Sequence, residues 1–91
     1  MDGRFFTLLA GENAAGICRL GLATSRRIGG AVERNRAKRL LRESFRRNKN
    51  EALHGFDLVL VPKKEIVDLK LGDVEAEYRL RVARLLRRRA R

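Results

Sequence analysis

The side chains best suited to bind a charged partner lie together in the middle of the chain. Residues 31–47 read AVERNRAKRLLRESFRR. An α-helix turns about 100° per residue, so side chains three or four positions apart share a face. On such a helix, an arc of roughly 100° holds Asn35, Lys38, Arg39, Arg42 and Arg46. A row of guanidinium and ammonium groups on one helix face is typical of proteins that bind polyanions.

The opposite side of the same helix is apolar. It carries Ala37, Leu40, Leu41 and Phe45. A helix with this pattern packs its apolar side on a protein core and presents its cations outward. The sequence therefore predicts an amphipathic helix from Ala31 to about Asn48.

The charge of the whole chain favours the same class of partner. The 91 residues include 22 Lys and Arg against 11 Asp and Glu, which gives a formal net charge of 22 − 11 = +11. Such a surplus repels itself unless a partner neutralises it. Arg is the more frequent cation, and its planar group donates two parallel hydrogen bonds to phosphate.

The sequence offers no recognisable catalytic group. It has one histidine, His54, and one cysteine, Cys18, and neither stands in a motif for nucleophilic catalysis or zinc binding. The phosphate-binding pattern GxxxxGK[ST] is also absent. We therefore predict no catalytic residue, no metal site and no cofactor bound by the protein itself.

The remaining pattern predicts three strands and a second helix. Strands are expected at Phe5–Ala10 and Ile17–Thr24, joined as a hairpin, and a buried strand at Asp57–Val61. From Leu71 onward the apolar residues recur every three or four positions, which predicts a helix with a stripe made of Leu71, Val74, Tyr78, Val82 and Leu85.

This order of elements predicts a small α/β (α+β) sandwich, in which the helices pack on one face of a sheet. The strand–helix–strand passage from Ile17 to Val61 implies a crossover and one parallel strand pair. The length suits one RNA-binding domain over residues 1–91. No apolar run reaches the roughly 20 residues of a membrane span, so we predict a cytoplasmic protein without a membrane partner.

Two kinds of nucleic acid fit a cationic helix. A helix that reads DNA usually follows a helix-turn-helix arrangement, whereas here a strand and a glycine loop precede it. Structured RNA is recognised by shape, phosphates and stacking on aromatic side chains. We favour RNA over DNA, and the sequence leaves a general, ribosomal-type RNA-binding protein and a DNA-binding helix protein as alternatives.

The strings around the cationic helix resemble the signature of the bacterial ribonuclease P protein component. They are RNR at 34–36, KR at 38–39, RE at 42–43 and Phe45, preceded by LGLATSRRIGGAV at 20–32. The later strand DLVLV at 57–61 and the final amphipathic helix also fall where that family has its last strand and helix.

The resemblance implies a concrete function. The family protein joins a large catalytic RNA, and together they remove the 5′ leader of precursor tRNA by phosphodiester hydrolysis. The RNA and its magnesium ions carry out the chemistry. By position, the residues that would contact the catalytic RNA are Arg34, Asn35, Arg36, Lys38, Arg39, Arg42 and Arg46. Those that would border a groove for the single-stranded leader are Arg26, Arg27, Lys63 and Phe5.

The resemblance also implies a particular version of the fold. It is the ribosomal protein S5 domain 2-like sandwich, in which the strand–helix–strand crossover is left-handed, whereas the general handedness rule favours the right-handed form. Family members carry a further basic helix ahead of the first strand, where it walls the leader groove. The sequence given starts almost at the first strand, so we expect the fold without this N-terminal helix.

Overall fold

A computed structural model describes residues 3–89 of the chain. It contains strands β1 (Phe6–Glu12), β2 (Arg19–Leu22) and β3 (Phe56–Pro62), with helix α1 (Ala31–Arg47) between β2 and β3 and helix α2 (Leu71–Arg89) at the end. Short 3₁₀ turns occupy Arg26–Ile28, Glu51–Leu53 and Lys64–Asp68. The predicted order of strand, strand, helix, strand and helix is confirmed.

The three strands form one mixed sheet in the order β1-β3-β2. The predicted parallel pair is confirmed, because β2 runs parallel to β3. The predicted hairpin is wrong: β1 pairs with β3 in antiparallel orientation, and β3 separates β1 from β2.

The composition of β3 explains its central position. Its side chains alternate between buried and half-buried along the whole strand, whereas β2 is short and alternates between exposed and half-buried residues. A strand that is apolar along its length gains most where both of its edges are paired. The β1–β2 connection therefore crosses the end of β3, where the Asn13 side chain donates to Asp57 Oδ1 at 2.8 Å and to the Ile17 carbonyl at 3.1 Å.

Both helices pack on the same face of the sheet and close a single core. The helix α1 buries Ala37, Leu40, Leu41 and Ser44. The predicted stripe of α2 is confirmed, since Val74, Tyr78 and Val82 are buried and the flanking leucines are half-buried. This packing fixes which side of α1 faces away from the protein.

The observed ends of α1 agree with the predicted ends to within one residue. The helix begins at Ala31 and ends at Arg47, with Asn48 as its C-cap. The Asn48 side chain donates to the Ser44 carbonyl at 2.8 Å, which satisfies one of the carbonyls left without a partner at a helix end. The chain then turns through Glu51–Leu53 and Gly55, which has a positive φ of 89°.

Candidate nucleic-acid interface

The outer face of α1 carries cations that the protein does not neutralise. Within residues 3–89, no hydrogen bond or ion pair engages the side chain of Arg34, Lys38, Arg39 or Arg42. Arg39, Arg42 and the neighbouring Asn35 are exposed, and Arg34 and Lys38 are half-buried. We call these four cations the cationic ridge.

Arg36 has a different role from its neighbours. Its Nε donates to the Val67 carbonyl at 2.7 Å, and its Nη2 donates to the Leu69 carbonyl at 2.8 Å. Arg36 thereby ties α1 to the turn that leads into α2. The sequence could not show this contact, because the accepting carbonyls lie 31 and 33 residues away along the chain.

Acidic side chains engage the cations at the C-terminal end of α1. Arg46 Nη2 lies 2.7 Å from Glu43 Oε2, and this hydrogen bond is the main reason why the pKa of Glu43 lies below its ordinary value. The charges of Arg46, Arg39 and Arg47 lower the pKa further, while desolvation opposes the shift. Arg47 Nε lies 2.9 Å from Glu75 Oε1 on α2. The predicted contact residue Arg46 is therefore already paired.

The cationic ridge groups four cations without ion pairs on one helix. Its members recur at positions 34, 38, 39 and 42, and side chains at this spacing are neighbours on a helix surface. A rigid helix that holds several cations toward solvent can follow a phosphate backbone, with each Arg able to make two hydrogen bonds to one phosphate.

The sheet face that points away from the helices is a second candidate surface. Alternation along the strands places Thr7 and Leu9 of β1, Gly21 of β2, and Val59 and Val61 of β3 on this face. Leu9 is 51% exposed. Small apolar side chains with a glycine among them leave room for an extended chain to lie across the strands.

The four residues predicted to border a leader groove lie at one end of this sheet. Lys63 follows β3, and Arg26 and Arg27 follow β2. Because β2 and β3 are parallel, these residues lie at the same end of the sheet. Phe5 precedes the antiparallel β1 and accepts a hydrogen bond from the Lys63 backbone N–H at 2.8 Å. The Lys63 ammonium also donates to the Gly3 carbonyl at 2.6 Å.

Phe5 is half-buried like Lys63, whereas Arg26 and Arg27 are exposed. Its ring is half-buried and packs against the core, and the Arg4 guanidinium lies 5.4 Å from the ring centre. Its backbone N–H donates to Glu77 Oε2 on α2 at 2.8 Å. Phe5 therefore lies at the contact between this end of the sheet and α2.

A metal site and a membrane-spanning helix are both absent from the part of the chain that the structure describes. Across residues 3–89, no three His, Cys, Asp or Glu side chains come together as a metal site. His54 is exposed and ends the Glu51–Leu53 turn. None of the helices within this range has both the length and the apolar character needed to cross a membrane.

Comparison with known proteins identifies the family. The sequence profile described as Ribonuclease P matches residues 1–89. The chain belongs to the ribonuclease P protein family. The ribonuclease P protein component of Pelotomaculum thermopropionicum is 48% identical, over 70% of this chain and 57% of that protein. That of Pseudomonas paraeruginosa is 42% identical, over 100% of this chain and 67% of that protein.

Solved structures of the family share the fold. The ribonuclease P protein from Thermotoga maritima superimposes with a TM-score of 0.78 at 33% identity, over 97% of this chain and 80% of that one. The mixed three-stranded sheet with two helices is therefore the ribonuclease P protein fold. The chain spans 57% of the length of the Pelotomaculum relative, less than two thirds.

Proposed function

We propose that this chain is the protein subunit of ribonuclease P. It binds the catalytic RNA subunit through the cationic ridge and assists endonucleolytic removal of the 5′ leader from precursor tRNA. The observation that supports this best is the cationic ridge. Its four cations lie on a helix that this family shares, and none of them forms an ion pair within residues 3–89. Given this substrate, we place the protein in the cytoplasm.

The ridge contributes affinity through phosphate contacts. Each phosphate that a cation neutralises releases counterions, so the logarithm of the binding constant falls with the logarithm of salt by about 0.7 to 0.9 per contact. Ribonuclease P RNA is expected to bind this chain with a steep salt dependence. The hydrolysis itself is assigned to the RNA and its magnesium ions, and the protein supplies binding and orientation.

The open sheet face suits the single-stranded leader. An extended strand of RNA fits a groove with cations along its edge, and here Arg26, Arg27 and Lys63 stand at one end of the face. The catalytic RNA and the leader would then lie on opposite sides of the protein, because α1 packs on the other face of the sheet.

A cleavage assay tests the proposal directly. The full chain is added to catalytic RNA and precursor tRNA at low magnesium, where the RNA alone is slow, and cleavage is mapped at the 5′ end. Faster cleavage at the correct site is the expected result. RNA binding without any gain in cleavage would contradict the proposal and indicate a general structured-RNA-binding protein.

A variant identifies the surface that acts in this assay. Replacing Arg34, Arg39 and Arg42 together by Ala should weaken binding to the catalytic RNA and make the salt dependence shallower by about two to three units in slope, the sum of three phosphate contacts. Filter binding over a salt series measures both quantities. An unchanged slope would remove the ridge from the interface.

A further inference from the structure

A cavity of about 260 Å³ opens at the C-terminal end of α1. Leu53 and Tyr78 form its floor, and each is 1% exposed. Phe45 and Cys18 stand at its sides, and both are half-buried. The exposed residues around its mouth are Ile17, Lys49, Asn50 and His54. We call it the α1-end pocket.

The size and lining of the pocket suit one flat aromatic group. An apolar cavity of roughly 150 Å³ is known to hold benzene, so this larger and open one has room for a nucleobase. Phe45 is held in place by an edge-to-face contact with Tyr78, with ring centres 6.5 Å apart. A fixed aromatic wall is the side chain that an unpaired base stacks on.

The polar atom of Tyr78 is not open to the pocket. Tyr78 is almost fully buried, and its hydroxyl has less than 1 Å² of accessible surface and makes no hydrogen bond with any described residue. Burial, first, and then the charge of Cys18 raise the pKa of Tyr78. The contact that the pocket offers to a base is therefore the ring of Phe45.

The pocket continues the cationic ridge. Phe45 follows Arg42 by three residues and Lys38 by seven, so that the three side chains lie on adjoining stripes of one helix surface. Lys49 at the mouth adds a further cation. An RNA backbone that follows the ridge toward the end of α1 therefore arrives at the opening of the pocket.

We propose that the α1-end pocket receives one unpaired nucleobase of the RNA bound along the cationic ridge. The base stacks on Phe45. This inference rests on the proposed RNA-binding function and adds a base contact to it, separate from the leader groove on the opposite face of the sheet.

Paired hairpin RNAs test the inference. One RNA carries a single unpaired adenosine in its stem, the other carries an abasic residue at the same place, and the position is moved one base pair at a time. Both have the same backbone charge. At one position or more, the wild-type chain should bind the adenosine form at least about fivefold tighter, the lower end for one base stacked on an aromatic ring.

One pocket variant and one ridge variant assign the effect. Phe45→Leu removes the stacking wall, so it should bring the ratio of the two affinities toward one. Arg39→Ala should weaken both RNAs and keep the ratio. A Phe45→Leu protein that folds but keeps the full ratio would overturn the stacking contact, and if this variant fails to fold, the alkylation of Cys18 in the wild-type chain decides the question.

The chain's single cysteine reports occupancy of the pocket. Cys18 should react with iodoacetamide more slowly when the adenosine RNA is bound than when the abasic RNA is bound at equal saturation. Equal rates, or equal affinities at every position, would overturn the inference. If both RNAs still bound with a steep salt dependence, the proposed RNA-binding function would stand. Failure of both hairpins and of the catalytic RNA to bind would contradict that function itself.

Discussion

Two arginines three residues apart on α1 differ in what they contact. Arg36 donates to two backbone carbonyls of the protein, whereas Arg39 makes no hydrogen bond or ion pair within residues 3–89. The sequence predicts the same RNA contact for both, because local spacing reveals the face of a residue but not a partner more than 30 positions away. The structure therefore separates an arginine that ties α1 to the turn before α2 from one whose side chain is open to solvent.

This difference predicts that alanine at position 36 lowers stability, whereas alanine at position 39 lowers RNA affinity. Arg36→Ala should lower the free energy of unfolding by about 1 kcal/mol, since it removes two hydrogen bonds from an exposed charged group. Arg39→Ala should change it by no more than about 0.5 kcal/mol but weaken RNA binding. Urea unfolding of both variants without RNA measures the first effect. Equal stability losses would contradict the assignment.

The Tyr78 hydroxyl gives a second prediction at the scale of one residue. Tyr78→Phe should raise the free energy of unfolding by about 1 to 3 kcal/mol, the cost of a buried hydroxyl without a partner. Ser44→Ala is the matched control, because the buried Ser44 hydroxyl donates to the Leu40 carbonyl at 2.8 Å. It should lose stability rather than gain it. A less stable Tyr78→Phe protein would show that the hydroxyl has a partner.

The sequence predicts the individual helices and strands better than it predicts how the strands are arranged in the sheet. Both helices were predictable because a stripe of apolar residues at helical spacing identifies the buried side within the element itself. The order of the strands was not, because adjacency in sequence suggested a hairpin while the apolar run of β3 required two paired edges. That requirement depends on all three strands together. The left-handed crossover implied by the family resemblance stays a prediction.

An ion pair between two of these strands predicts that the stability of the fold depends on pH. Arg19 Nε on β2 lies 2.7 Å from Asp57 Oδ1 on β3, and the hydrogen bonds from Arg19 and then Asn13 hold the pKa of Asp57 below its ordinary value. A depressed pKa in the folded state stabilises the fold above the ordinary aspartate pKa. This contribution is lost as pH falls through the folded-state pKa.

Two substitutions should remove that pH dependence. Asp57→Asn abolishes the titrating group, and Arg19→Met abolishes its main partner, so each should flatten the fall in melting temperature between neutral and acidic pH relative to the wild type. Thermal unfolding followed by circular dichroism over a pH series measures the slope. Wild-type slopes in both variants would mean that the Arg19–Asp57 pair contributes nothing to acid sensitivity.

At the scale of the whole molecule, the sheet separates two surfaces of different character. The cationic ridge lies on the outer side of α1, and the apolar face made by Thr7, Leu9, Gly21, Val59 and Val61 lies on the other side of the sheet. A protein built this way can hold a folded RNA on one side and an extended strand on the other. The two bindings should then respond to different substitutions.

This separation predicts a variant that affects the leader alone. Leu9→Glu places a negative charge on an exposed site of the sheet face, where it should repel the phosphates of the leader. We expect the affinity for precursor tRNA to fall by about fivefold, equivalent to about 1 kcal/mol, while the affinity for the catalytic RNA changes little. Ala83→Glu adds the same charge to the exposed side of α2 and corrects for the change in net charge.

Varying the length of the leader shows which of the two surfaces binds it. With Leu9→Glu, the loss should grow as the leader is extended from one nucleotide to several and should vanish for mature tRNA, because in the proposed arrangement only the leader lies on the sheet. With the ridge variant Arg34→Ala, Arg39→Ala, Arg42→Ala, the loss should be the same for every leader length, because it arises from the catalytic RNA. A loss independent of leader length in Leu9→Glu would place the leader elsewhere on the protein.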